Sequence, residues 1–441
     1  MLLPWRALTT EFRPLLKLAV PLILGELGWV TMSVVDAMMV GRLSKEAMGA
    51  VGVVSMLFIT SAVFGMGLLL GLDPLVAQAF GAGRRADCHR SLVAALWLAA
   101  AIAPPMMLIQ WASIPVMTLL RVHPAVLLEA IPYIGPIVWS TPPLLFYAAL
   151  RRYLQGMNHV HPVMFALLSA NVVNACVNWL LIFGHWGAPQ MGVAGAGWAT
   201  LASRVYMAGV LIAAAVWYAR AEPHVSLLPE WSRIRELVRL GLPAAGQITA
   251  EVGVFALATT LIGRLDPQYL AANQIAMAAA TYSYMVPLGL SSAAAVRVGH
   301  AIGRGDPRRA RLAGWAAILF GVSFMGMAGL TFISAPRWIG RLFTPDASVI
   351  EAAIPLLGLI ALFQLFDGAQ GVATGALRGA GNTRVAAWTH FAGYWIVGLP
   401  AGAWLCFSAG WGAAGLWAGL CLAIILIGVT LLIAWAKLAP R

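Results

Sequence analysis

Twelve nearly uncharged apolar runs, each long enough to cross a hydrocarbon core, constrain this chain more than any other feature in it. They lie near residues 15–41, 48–73, 91–114, 130–154, 162–184, 192–219, 239–263, 274–301, 312–335, 353–377, 385–408 and 413–436. At about 1.5 Å of rise per residue, a helix of any of these lengths exceeds the roughly 30 Å of a bilayer interior. Backbone groups in lipid find no water, so each run must close its hydrogen bonds internally as a helix. Composition agrees. The chain is 61% hydrophobic and only 10% charged, with a mean hydropathy of +0.85, whereas a soluble domain carries about 25% charged residues. The predicted class is an all-α polytopic membrane protein with twelve transmembrane helices, and a water-soluble enzyme is excluded.

The 28 Lys and Arg against 16 Asp and Glu give a net charge of +12. Most of the cations sit between apolar runs, where they orient the chain and meet lipid headgroups; nucleic acid is not an expected partner. The termini and even-numbered loops hold 21 of them, the odd-numbered loops 6, and Arg204 falls inside the sixth run. That bias places both termini in the cytoplasm of a multi-pass protein. The basic N-terminus lacks a small-residue cleavage site and is expected to be retained. Cys88, Cys176, Cys406 and Cys421 have no metal-ligand spacing and read as free packing thiols.

The longest and most charged connection, residues 220–238, separates an N-terminal six-helix lobe (1–219) from a C-terminal one (239–441). The lobes repeat. An offset of 222 aligns Pro21 with Pro243, Gly41-Arg42-Leu43 with Gly263-Arg264-Leu265, and Gly81 and Gly83 with Gly303 and Gly305. An offset of 223 then aligns Pro132 with Pro355 and Gly156 with Gly379. With an even number of spans in each half, the repeats are parallel, two six-helix bundles in an alternating-access plan.

The intramembrane acids do not follow the repeat: Asp36 falls opposite Ala258, Glu251 opposite Trp29 and Asp367 opposite Leu144. Each costs about 2.5–3.5 kcal/mol by insertion scales, so each needs a wet cavity, a cation or a partner. Helical rise puts Glu251 and Asp367 near the midplane and Asp36 in the outer part of the first span. Gln247 lies four residues before Glu251 and Gln364 three before Asp367, so amide and acid share a helix face. Asn171, Asn174 and Asn178 form a stripe reaching the depth of Asp36, and Thr200 arrives there from the sixth span. Carboxylate, amide and hydroxyl oxygens suit a hard cation or a proton relay. The stripe also reads as interhelical glue, Glu26 as either a neutral hydrogen-bonded acid or a functional one, and Asp73 as a helix-end or loop-facing group. Arg297, His300, Arg304, Arg308, Arg309 and Arg311 read as an anchor on lipid phosphates, and Arg204 as either paired or snorkelling.

Five segments in order, LAVPLILGELGWVTMSVVDAMMVGRL, NVVNACVNW with GVAGAGWATLASR, AEVGVFALATTLIGRL, VRVGHAIGRGD and FQLFDGAQGVATGALRGAGNTR, resemble the multidrug and toxin extrusion (MATE) family, most closely its NorM-type bacterial branch. The resemblance implies a V-shaped pair of bundles that exports cationic aromatic drugs against Na⁺ or H⁺, with no other cofactor and no catalytic residue. It carries the N-lobe acid to Asp36, with Asn174, Asn178 and Thr200 around it, and the C-lobe acids to Glu251 and Asp367, supported by Gln247 and Gln364. Sodium is expected at Glu251, Asp367 or Asp36. Phe363 stands where such members can have a Tyr, which removes one hydroxyl from a C-lobe Na⁺ site. A monomer working among membrane lipids is expected. Two rivals remain: a lipid-linked oligosaccharide flippase, which needs a basic cavity, and an intramembrane transferase, which needs metal-binding acid clusters in loops.

Overall fold

The computed structural model describes residues 5–119, 121–220 and 225–438; residues 221–224 of the inter-lobe connection and both chain ends lie outside the described residues. The helices are α1 (Trp5–Val40), α2 (Lys45–Leu69), α3 (Leu72–Gly81), α4 (Arg85–Trp111), α5 (Ser113–Leu119), α6 (Pro124–Trp139), α7 (Thr141–Gly156), α8 (His161–Phe183) and α9 (Val193–Ala219). After the connection come α10 (Trp231–Ile262), α11 (Pro267–Gly303), α12 (Pro307–Ser334), α13 (Pro336–Phe343), α14 (Ala347–Gly379), α15 (Thr383–Phe391), α16 (Leu399–Ala403) and α17 (Gly412–Leu438).

Eleven stretches among the described residues are long and apolar enough to span a membrane. The remaining expected span, 130–154, is built from α6 and α7 and breaks at Ser140. Pro142 and Pro143 cause the break, because neither has an N–H to give to the preceding turn. The span expected at 385–408 stays helical but widens into π turns at Ala392–Gly398 and Trp404–Ser408, on either side of Pro400. Proline's missing donor is absorbed by these wider turns.

Two compact units emerge, one of residues 24–245 and one of residues 246–441 together with 1–23. The sequence boundaries at 219 and 239 mark where one repeat ends and the next begins; the compact units divide inside α1 and α10. The reason is visible at two glycines. A Cβ on Gly67 would lie 2.7 Å from the Cα of Ala245, and one on Gly289 would lie 2.8 Å from the backbone N of Ile23. The offset of 222 that carries 67 to 289 also carries 23 to 245, so the two repeats make the same backbone-close contact with exchanged partners.

Within the C-terminal unit, α14 packs on α11 with equal closeness. A Cβ on Gly375 would sit 2.1 Å from the carbonyl oxygen of Ser291, with no flexible side chain to yield. Gly375→Ala is therefore expected to lower stability by about 1–3 kcal/mol or more, read as a fall in detergent melting temperature. Gly358→Ala, where the added carbon meets open space, is expected to melt like the parent. Equal melting of both variants would contradict the packing.

Candidate functional site

Asp36 sits in the last turns of α1, and α8 presents two buried asparagines to it. Asn178 donates from Nδ2 to Asp36 Oδ1 at 2.5 Å and reaches Asn174 Oδ1 at 3.1 Å. Both asparagines are fully buried. Among the described residues the buried carbonyl oxygen of Asn178 has no hydrogen-bond partner, an arrangement that native interiors rarely leave unexplained. An acid beside an uncommitted amide oxygen is a place for a cation. Asn171 does not join this group; it donates to the carbonyls of Gly28 and Leu167 and ties α8 to α1. Thr200, expected beside Asp36, instead donates to Ala196 one turn back on its own helix, the usual outlet for a hydroxyl in an apolar helix.

Two neighbours of Asp36 carry charge or a hydroxyl that the sequence reading did not place. Tyr133 on α6 and Arg204 on α9 both lie within electrostatic reach of it. Arg204 forms no ion pair with an acid among the described residues. Its guanidinium lies 4.5 Å from the Phe58 ring centroid and donates to Ser140 Oγ at the break between α6 and α7. A cation–π contact and a hydrogen bond offset part of its burial. The same break holds Thr141, which donates to Gln110 Oε1 at 2.6 Å, and Gln110 in turn donates to Ser61 Oγ at 3.0 Å.

The C-terminal unit gathers a longer polar chain. Gln370 donates from Nε2 to Asp367 Oδ1 at 2.9 Å, and its Oε1 lies 2.6 Å from His390 Nε2. Gln247 approaches the same ring nitrogen at 3.3 Å, while His390 Nδ1 lies 2.8 Å from the carbonyl of Ala386. The amides that share a helix face with the two acids make their hydrogen bonds elsewhere. Gln247 serves His390 rather than Glu251, and Gln364 donates to Ser283 Oγ on α11 rather than to Asp367. Glu251, half-buried, makes no hydrogen bond or ion pair among the described residues. Its electrostatic neighbours are Asp367, Tyr284 and Tyr394. Phe363 packs edge-on against Phe255 and Trp417, closing an aromatic wall where a hydroxyl would otherwise stand.

Other charges find structural work. Glu26 forms a buried ion pair with Arg151 of α7, which sets aside the reading as a neutral acid. Asp73 lies in the first turn of α3, the helix-end alternative, where it is buried and pairs with Arg152 at 3.7 Å rather than facing a loop. Arg297 and Arg309 of the basic cluster converge on buried Glu11, which leaves only part of that cluster for lipid. The four cysteines are free, with Cys176 exposed and the other three buried.

Known proteins bear on the same chain. A family model described as MatE matches residues 21–180 and again 243–404, which is the internal repeat seen a second way. The "Probable multidrug resistance protein NorM" of Mesorhizobium japonicum is 36% identical, over 98% of this chain and 94% of that protein. The "Multidrug resistance protein MdtK" of Yersinia pseudotuberculosis is 32% identical, over 98% and 96%. Among solved structures, the eukaryotic MATE transporter AtDTX14 superposes with a TM-score of 0.89 at 23% identity, covering 98% of both chains. An outward-facing multidrug resistance MATE family transporter gives 0.86 at 17% identity, covering 97% and 96%. Twelve apolar spans, a duplicated architecture and full-length relatedness converge on one conclusion: the chain belongs to the MatE family and is a multi-pass membrane transporter, not an enzyme.

Proposed function

We propose that this transporter exports cationic, aromatic multidrug substrates across a bacterial inner membrane, with both termini cytoplasmic, in exchange for an entering cation. The observation that carries this reading is Glu251, an intramembrane acid without a hydrogen bond or ion pair among the described residues, in the same unit as Asp367. An acid left uncommitted at a cost of several kcal/mol is there to receive a positive passenger. Asp36 with the free Asn178 carbonyl is the corresponding place in the N-terminal unit. The multidrug-resistance names of the relatives support the substrate class.

Coupling follows if coupling cation and drug compete for these carboxylates, since an ion shifts a conformational equilibrium only through unequal affinity for its states. The C-terminal donors favour a proton. Asp367 is engaged by an amide N–H, Phe363 supplies no oxygen, and the chain ends in an imidazole, a group that titrates rather than binds Na⁺. Asp36 with its amide oxygen suits either ion.

Ethidium efflux from proteoliposomes under one imposed gradient at a time tests the reading. A proton gradient alone is expected to drive export, and a Na⁺ gradient alone is not; export driven by Na⁺ alone would overturn the proton assignment, and export under neither would remove antiport. In the same assay, Asp36→Asn is expected to abolish gradient-driven export. Asn178→Leu is expected to slow it by about tenfold, the loss of one charge-assisted hydrogen bond of roughly 1.5–3 kcal/mol, and Thr200→Val to leave it unchanged because that hydroxyl serves only its own helix. A Thr200→Val defect as large as that of Asn178→Leu would contradict the assignment of Asp36's neighbours.

A further inference from the structure

We propose that His390 is a second seat for the proton of Asp367, with the Gln370 carboxamide between them able to satisfy the proton in either place. The geometry carries this by counting donors and acceptors. The carbonyl of Ala386 can only accept, so His390 Nδ1, 2.8 Å away, holds a hydrogen. The free choice lies at Nε2, which faces one end of the Gln370 carboxamide at 2.6 Å, while the other end faces Asp367 at 2.9 Å.

A carboxamide has one accepting end and one donating end of nearly the same size, and it turns to suit its partners. With one proton on the pair, two arrangements satisfy every contact. In the first, protonated Asp367 donates to the Gln370 carbonyl, and the Gln370 NH₂ donates to the bare Nε2 of neutral His390. In the second, the Gln370 NH₂ donates to the Asp367 carboxylate, and the Nε2–H of the imidazolium donates to the Gln370 carbonyl. The O–H bond at Asp367 is broken, its proton passing to water, and an N–H bond at His390 is made with a proton taken from water; the carboxamide stays neutral and turns half a rotation to suit the new donor. The total charge of the pair is zero in both, so neither arrangement adds net charge to a fully buried site.

With no proton, the carboxamide faces two acceptors and its contact with one of them fails; with two, it can still donate to the carbonyl oxygen of protonated Asp367, but the pair then brings a net positive charge into a buried site. The neighbouring groups adapt to either one-proton arrangement. Gln247 meets Nε2 at 3.3 Å and can present either end, and the Tyr284 hydroxyl, a further partner of Gln370, can donate or accept. Tyr394 lies beside the ring at 6.1 Å between centroids, its hydroxyl without a hydrogen-bond partner, and Glu251 and Arg378 are the remaining charged groups that act on this cluster. His390 is the penultimate residue of α15, two residues before the π turn at Ala392–Gly398 begins, and π turns recur where a helix holds a functional group. A cation drawn to Asp367 favours its carboxylate form, and the displaced proton then has a place within the unit. The consequence for transport rests on the reading of Asp367 as a coupling acid; the two seats for the proton do not.

Nitrogen-15 solid-state NMR of histidine-labelled protein in lipid nanodiscs tests it directly, with the His390 signals identified by their disappearance in His390→Asn. Above the pH at which a free imidazole has lost its proton, about 6.5, adding the cation tetraphenylphosphonium is expected to shift His390 toward the imidazolium signature. In Asp367→Asn the imidazolium is expected to be lost at every pH, leaving the neutral ring with its hydrogen on Nδ1. A neutral ring with and without the cation in the parent protein, or the same imidazolium in the parent and in Asp367→Asn, would overturn the proposal. The pH profile of ethidium export by His390→Gln gives a second readout: a purely structural histidine leaves that profile in place, whereas a proton seat shifts it. Failure of export under every gradient with the ring signals as expected would sink the antiport reading and leave the shared proton standing.

Discussion

Glu251→Gln is expected to abolish gradient-driven efflux while leaving the folded protein as stable as before, or more so. The two halves of that expectation have one cause. Glu251 makes no hydrogen bond or ion pair among the described residues, so an isosteric amide removes no structural contact and relieves the cost of a buried acid. What it does remove is a negative charge that coupling cation and drug contest. Coupling free energies of about 1–3 kcal/mol correspond to roughly 5- to 150-fold changes in affinity, and export should fall toward the leak by a factor in that range. Glu251→Asp keeps the charge on a shorter arm and should retain part of the rate. Efflux in proteoliposomes and a detergent melt of the same preparations check both halves. A Glu251→Gln protein that transports normally, or one that fails because it melts early, would remove Glu251 from the coupling role.

The opposite signature is expected at Glu26. Glu26 and Arg151 are 7% and 8% exposed and form an ion pair, so Glu26→Gln leaves an uncompensated guanidinium in the interior, at a cost of about 3–5 kcal/mol. The double replacement Glu26→Gln with Arg151→Met removes both charges and is expected to recover most of that loss, because a hydrophobic pair of similar volume is often as stable as a buried ion pair. Melting temperatures of the parent, the two single variants and the double variant form a cycle that reads the coupling. Additive losses in the double variant would show that the pair is not what holds these residues.

These two acids were hard to tell apart in the sequence, and the reason is physical. An intramembrane carboxylate announces itself by cost alone, and whether it is paired depends on a helix far along the chain. Arg151 lies 125 residues from Glu26, and nothing local links them. Spans and duplication were legible because they depend on length, apolarity and glycine spacing, which are properties of the chain itself. Asp36 with Asn174 and Asn178 was legible too, since the asparagine stripe has helical spacing on one face of α8. The C-terminal site was read only in part. Gln364 and Gln370 flank Asp367 at the same distance of three residues, and only the one before it was weighed; the one after it makes the bond. His390 was missed altogether, although a histidine in an otherwise apolar span is itself a signal. The division of the compact units inside α1 and α10 was not readable, because it arises from which backbone Gly67 and Gly289 touch.

The account stands or falls on whether a drug and a coupling cation occupy the same negative groups. The direct measurement adds ethidium to purified, lightly buffered protein and records protons released and Na⁺ displaced, in the parent and in a variant carrying Asp36→Asn, Glu251→Gln and Asp367→Asn together. The account predicts that the parent releases protons in proportion to ethidium bound, and that the triple variant releases none. Ethidium that binds the parent equally at every pH and Na⁺ concentration, releasing nothing, would contradict it.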